Sequence, residues 1–188
     1  MTAMRKEYAR LRRRPFLMPL WLPVFGAIVA LAFAVWLVLS ASTTLVMVVR
    51  HAEAVAGAGA DPLLSAEGEA RAQRLAALMA TAQGFAPDGI VVSGLRRTQE
   101  TARPLAAALG VPVVVVEDRD PRAVAERALA EFQGQRVLII GHSNTVPEIV
   151  QRLSREPVPA MSETEFGTLY IVAVPRFSRP VVARIELP

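Results

Sequence analysis

TTLVMVVRHAE, residues 43–53, is an aliphatic, β-branched run that stops abruptly at Arg50 and His51. A short unbroken apolar run of this kind reads as a strand buried on both faces, the type found in parallel sheets. The same pattern returns in GIVVS (89–93), PVVVV (112–116) and RVLIIG (136–141). Helical spacing fills the intervals. SAEGEARAQRLAALMATAQG (65–84) has Ser65 as N-cap and Gly84 after its end, and LRRTQETARPLAAALG (95–110) is stopped by Gly110, with Pro104 kinking it or starting its second half. DPRAVAERALAEFQG (120–134) begins with Asp120 as cap and Pro121 in the first turn, and TVPEIVQRLSR (145–155) is short. TLYIVAVP (168–175) and VVARIELP (181–188) close the chain as a hairpin at a sheet edge. Strands alternating with helices predict a three-layer α/β/α domain with a mainly parallel central sheet over 43–188.

Upstream, the composition changes. Six of the 21 basic residues lie within the first 14 positions, opposed there by Glu7 alone. From residue 45 onward 15 basic residues face 16 acidic ones, so the sequence pI near 10.5 belongs to the tail. The tail carries a single aromatic residue, Tyr8, and no glycine, which argues against a nucleic-acid partner. No charge occurs between Arg14 and Arg50, and WLPVFGAIVALAFAVWLVLS supplies about the 20 apolar residues that cross a bilayer as a helix, with Trp21 and Trp36 near its ends. The expectation is a basic cytoplasmic tail (1–15), one transmembrane helix within 16–42, and a domain on the non-cytoplasmic side by the positive-inside rule. A cleaved signal peptide ending near Ser40-Ala41-Ser42 is the alternative, although the apolar stretch is longer than the usual h-region of about 7–15 residues. The absence of cysteine is compatible with an oxidising compartment.

Ligands of open parallel sheets bind beyond the carboxyl ends of the strands. Three ends carry polar cargo: Arg50-His51, then Ser93 followed by LRRTQETA, then Gly141-His142-Ser143-Asn144. The chain has two histidines, and both stand at this edge. Taken singly, each feature is ordinary: a structural histidine, a solvated pair Arg96/Arg97 beside Glu100, a GHSN turn with Ser143 or Asn144 as helix cap. Taken together, guanidiniums and imidazoles gathered without matching acids make a pocket for a phosphate-like oxyanion, and a histidine there can attack phosphorus.

VVRHAE, SGLRRTQETA and GHSN, in this order, resemble the motifs of the histidine phosphatase superfamily, also called phosphoglycerate mutase-like; Leu64, Ser65 and Gly68 match the Leu-Ser-x-x-Gly that opens its first helix. The resemblance spans about residues 44 to 188 and implies the phosphoglycerate mutase-like fold and a phosphomonoester hydrolase. It implies His51 as nucleophile, forming a phosphohistidine. Arg50 would bind the phosphoryl oxygens, Arg97 rather than Arg96 would be the second arginine, and His142 would be the second pocket histidine, with Ser143 adding donors. No metal and no cofactor are implied. Two departures stand out: Ala52 replaces the family glycine, and the general acid is open among Glu117, Asp118 and Asp120, with Asp118 preferred. Glu53 has no assigned role. The expected substrates are phosphorylated small molecules or envelope components. The alternatives are a phosphohistidine-protein phosphatase, which would suit a cytoplasmic domain, a non-catalytic phospho-ligand module with the same pocket, and a metal hydrolase built on His51, Glu53 and His142. Specificity is expected in loops 54–62 and 117–123 and in the region 154–167.

Overall fold

The computed structural model describes residues 21–40, 43–57, 59–82, 84–117 and 120–187. The basic tail and Asp118 lie outside the described residues. The chain forms two compact units, one ending at Ser40 and one beginning at Ala41. In the first, α1 (Trp21–Ser40) is a single helix of 20 residues. Residues 21–38 have a mean hydropathy of 2.3 and are exposed throughout. At 1.5 Å per residue the helix is about 30 Å long.

The second unit follows the alternation read from the sequence: β1 (Thr43–Arg50), α2 (Ala66–Thr81), β2 (Gly89–Ser93), α3 (Arg96–Leu109), β3 (Val113–Val116), α4 (Pro121–Glu131), β4 (Arg136–Gly141), α5 (Thr145–Ser154), β5 (Thr168–Pro175) and β6 (Val181–Glu186). The sheet is mixed, in the order β3-β2-β4-β1-β5-β6. The first four of these are mutually parallel, and the hairpin β5–β6 adds antiparallel to β1.

The period of two along the strands divides the core between the layers. Val46, Val48, Val91, Val137 and Ile139 pack with Val124, Ala128, Ile149 and Val150 of α4 and α5. Met47, Val49, Ile90, Val92, Leu138 and Ile140 pack with Leu75, Met79 and Leu105 of α2 and α3. Burial on both faces holds for β1, β2 and β4 but fails for β3. That strand sits at the sheet edge, and Val113 and Val115 are 40% and 43% exposed.

Local capping follows the residue chemistry. The hydroxyl of Ser65 accepts from the Gly68 N–H, and the carboxylate of Asp120 accepts from the Arg122 N–H. Gly110 ends α3 with φ of 67°, the left-handed conformation that glycine takes without strain. Helix α3 continues through Pro104. The alternative reading of GHSN as a helix cap is not met at Asn144, which stands at the N-cap and makes no side-chain cap bond. Instead the Thr145 hydroxyl accepts from the backbone N–H of His142.

Candidate active site

The strand order places the three cargo-bearing ends side by side. Arg50 pairs with Gly141 across β1 and β4, and Val92 pairs with Ile140 across β2 and β4. His51, His142 and Ser93 therefore leave adjacent strands at one level. The backbone N–H of His51 donates to the Gly141 carbonyl at 2.9 Å, which continues the ladder one residue beyond the strand. Above them opens a cavity of about 700 Å³ whose walls include Arg50, His51, Arg97, His142, Ser143, Glu163 and Phe166.

His51 is 7% exposed. Its Nδ1 lies 2.7 Å from the carbonyl oxygen of Ala52. A carbonyl only accepts, so Nδ1 carries the proton and Nε2 the lone pair. Burial, followed by the neighbouring Arg97 and Arg50, lowers the His51 pKa from 6.5 to about 4 despite the opposing pull of that hydrogen bond. Near neutral pH this is an uncharged imidazole with a nucleophilic nitrogen.

The second histidine is held differently. Its ring centroid lies 5.2 Å from that of His51 at an interplanar angle of 60°. The Arg97 Nε donates to His142 Nδ1 at 3.4 Å. A guanidinium has no acceptor, so Nδ1 is bare and Nε2 carries the proton, which it donates to the Ser93 Oγ at 3.0 Å. Ser93 in turn lies 3.0 Å from the Thr98 hydroxyl, which donates to the Leu95 carbonyl at 2.8 Å. The serine and first threonine of SGLRRTQETA thus orient His142 from below.

Arg50 is 9% exposed and is fixed from the far side of the pocket. Its Nη1 donates to the carbonyls of Ser162, Glu163 and Glu165 at 3.0, 2.6 and 3.1 Å. The guanidinium carbon stands 4.0 Å from the centre of the Phe166 ring, a cation–π distance. Its buried Nε has no hydrogen-bond partner among the described residues. Burial lowers the Arg50 pKa, and the charge of Glu163 opposes that shift most strongly. The group stays cationic, because arginine is not deprotonated in proteins.

The residues around His51 hold the loop that follows it. The Ala52 N–H donates to the Thr101 hydroxyl at 3.0 Å, and that hydroxyl donates to the Arg97 carbonyl at 2.7 Å, so one threonine ties together the two segments that carry His51 and Arg97. The only non-glycine residue with positive φ among those described is Arg155, so Ala52 needs no glycine freedom. Its methyl packs with Leu64 and Ala72. Glu53 acquires a structural role: its carboxylate accepts from the Arg71 Nε at 2.8 and 3.0 Å, and its carbonyl accepts from the Ser65 N–H at 2.9 Å. A Cβ on Gly68 would lie 2.0 Å from that carbonyl oxygen, which is why this turn of α2 needs glycine.

The expected residues therefore distribute as follows. Arg50, His51, Arg97, His142 and Ser143 line one cavity. Arg96 does not. Its backbone N–H is capped by the Asp61 carboxylate, and the residue faces a surface shared with Val113 and Val115. Asp118 lies outside the described residues, and neither Glu117 nor Asp120 lines the cavity. Among the described residues no group of three His, Asp or Glu side chains could hold a metal ion. The segment 162–166 was legible only as part of the expected specificity region 154–167, since its contacts to Arg50 are made by backbone carbonyls that any sequence supplies.

Residues 46–120 match the model of the histidine phosphatase superfamily (branch 1). No curated protein matches the sequence. The fold is similar to that of the protein histidine phosphatase SixA, solved in complex with tungstate, with a TM-score of 0.64 and 20% identity over 76% of this chain and 96% of that one. It is also similar to a mycobacterial glucosyl-3-phosphoglycerate phosphatase, with a TM-score of 0.61 and 17% identity over 78% of this chain and 100% of the other. The alpha-ribazole phosphatase from Shigella flexneri gives a TM-score of 0.56 and 19% identity over 76% and 96% of the respective chains. At these identities the likenesses are of fold.

Proposed function

We propose, for a chain that belongs to the histidine phosphatase superfamily and is a phosphatase, that it hydrolyses a phosphomonoester through a phosphohistidine on His51. The observation that supports this most is the state of His51: uncharged, protonated on Nδ1 and set among cationic groups. Nε2 attacks phosphorus while the Nδ1–H bond to the Ala52 carbonyl stabilises the positive charge that grows on the ring. Arg50 and Arg97 hold the phosphoryl oxygens, with His142 and Ser143 beside them. Preorganised cations of this kind stabilise charge as it spreads over the equatorial oxygens, so the reaction needs no metal.

Full-length protein should hydrolyse 4-nitrophenyl phosphate in EDTA, and His51→Ala should abolish turnover. Activity surviving that substitution would sink the mechanism. Phosphate binding with no turnover of any phosphomonoester by the wild type would point instead to a binding module.

Helix α1 is proposed as a single-pass anchor that leaves the domain on the non-cytoplasmic side. Its length and hydropathy support this reading. Thr43 opens β1 and His51 follows its end, so about 26 Å of strand separates the chain's entry into the domain from the site. A C-terminal reporter, active on only one side of the membrane, tests the orientation. Hydrolysis of a phosphohistidine protein is the second reading, favoured by the likeness to SixA; it requires the domain to be cytoplasmic.

A further inference from the structure

We infer that Glu165 is a positioning residue for phosphate binding: its carboxylate fixes the 162–166 segment in the arrangement that aims Arg50 at the pocket. This rests on the phosphatase reading above and adds what stands behind one of its phosphate ligands.

A guanidinium is planar, so its direction is set once one edge and one face are held. The carbonyls of Ser162, Glu163 and Glu165 hold the Nη1 edge of Arg50, and the Phe166 ring covers a face. Nη1 is thereby committed to the rim and Nε is buried, which leaves Nη2 to reach a phosphoryl oxygen. All four anchors lie between the end of α5 and Thr168, in a stretch with neither helix nor strand. No ladder or helix fixes those carbonyls, so their direction depends on local bonds.

Glu165 supplies these bonds. Its N–H donates to the Ser162 carbonyl at 3.1 Å and closes a turn, and its carboxylate accepts from the Ser162 N–H across that turn at 3.4 Å. The same carboxylate accepts from the Thr168 hydroxyl at 2.5 Å and from the Arg184 Nη2 at 3.0 Å, so the turn is tied to both strands of the β5–β6 hairpin. Thr168 is buried, whereas Arg184 is exposed and shared with Glu186, which makes the hydroxyl the firmer tie. The bond from Thr168, opposed by burial and helped by Ser162 and Arg184, holds the Glu165 carboxyl below the ordinary carboxylate range. It is therefore ionised at neutral pH and accepts from all three donors. An amide has one accepting oxygen, and its NH2 would face a donor.

The test titrates inorganic phosphate calorimetrically into full-length His51→Ala, which keeps the pocket without the chemistry, with and without Glu165→Gln. The Gln variant should bind phosphate about 10-fold more weakly. In chains that retain His51, Glu165→Gln and Thr168→Val should raise KM for 4-nitrophenyl phosphate and weaken phosphate inhibition in parallel. Thr168→Ser should recover most of what Thr168→Val loses. A double-mutant cycle uses Arg50→Met, which keeps the buried stem but no guanidinium. In that background Glu165→Gln should change kcat/KM by less than about 2-fold. A merely structural Glu165 would lower the unfolding temperature and leave the phosphate affinity and KM of the folded protein unchanged. That result, or an equal loss with and without the Arg50 guanidinium, would overturn the assignment. Turnover that persists in His51→Ala would instead overturn the parent mechanism while the phosphate titration still reads the positioning, so the two failures are distinguishable.

Discussion

The buried neutral state of His51 has a consequence for stability that does not depend on knowing the substrate. Its pKa is about 4 in the folded chain against 6.5 for an unperturbed imidazole. Below pH 6.5 the unfolded chain takes up a proton that the folded chain refuses, so acid favours unfolding. The contribution of His51 is fully present above pH 6.5 and is lost progressively as pH falls toward 4. Each unit of pKa difference corresponds to about 1.4 kcal/mol, so the whole effect is about 3 kcal/mol, of which about 2 kcal/mol has gone by pH 5. His51→Asn removes the titration while keeping an N–H near the Nδ1 position to donate to the Ala52 carbonyl. Thermal unfolding of wild type and variant at pH 8 and pH 5 isolates the term, because other titrations, including the depressed carboxyls of Asp88 and Glu165, cancel in the double difference. The wild type should lose about 4–8 °C more than the variant between the two pH values, on the scale expected for a domain of this size. Equal losses would refute the buried, neutral assignment and with it the tautomer argument for Nε2 as the attacking atom.

Three further outcomes follow from the same contacts. Gly68→Ala should cost about 1–3 kcal/mol in thermal or denaturant unfolding, since its Cβ meets the fixed Glu53 carbonyl rather than a side chain able to move. Ser93→Ala leaves the His142 Nε2–H without its acceptor, so it should lower stability by about 1–3 kcal/mol and reduce kcat on 4-nitrophenyl phosphate, whereas Ser93→Thr should restore part of both. Arg50→Lys keeps the charge but not the planar fork that reaches three carbonyls while facing the pocket; kcat/KM should fall by about 10–100-fold, with phosphate inhibition weakened in parallel.

The parts of this protein that were legible in its sequence are those in which residue type and periodicity carry the information. Four valine- and isoleucine-rich runs alternating with amphipathic helices left little choice but a parallel sheet between helix layers, and the polar cargo at three strand ends marked the site edge. Pattern alone misjudged β3. VVVV reads like the buried strands because edge position is a property of strand order, which depends on long-range pairing and leaves no trace in four valines. Glu53 was opaque for a related reason: its partner Arg71 lies 18 residues away on another element, and its carbonyl's approach to Gly68 involves no side chain of its own. The 162–166 segment shows the limit most clearly. It has neither period nor motif, yet it holds Arg50 through three backbone carbonyls and one aromatic ring. Backbone acceptors are the same in every sequence, so only Phe166 and Glu163 could have signalled a site there. Those two are the side chains that give this rim its character. Phe166 stands 4.0 Å from the Arg50 guanidinium, and Glu163 lines the cavity beside it. On the proposed mechanism the motif residues serve the phosphoryl group, and the rim segment, which no motif marks, is where enzymes sharing one phosphate pocket can differ to take different substrates.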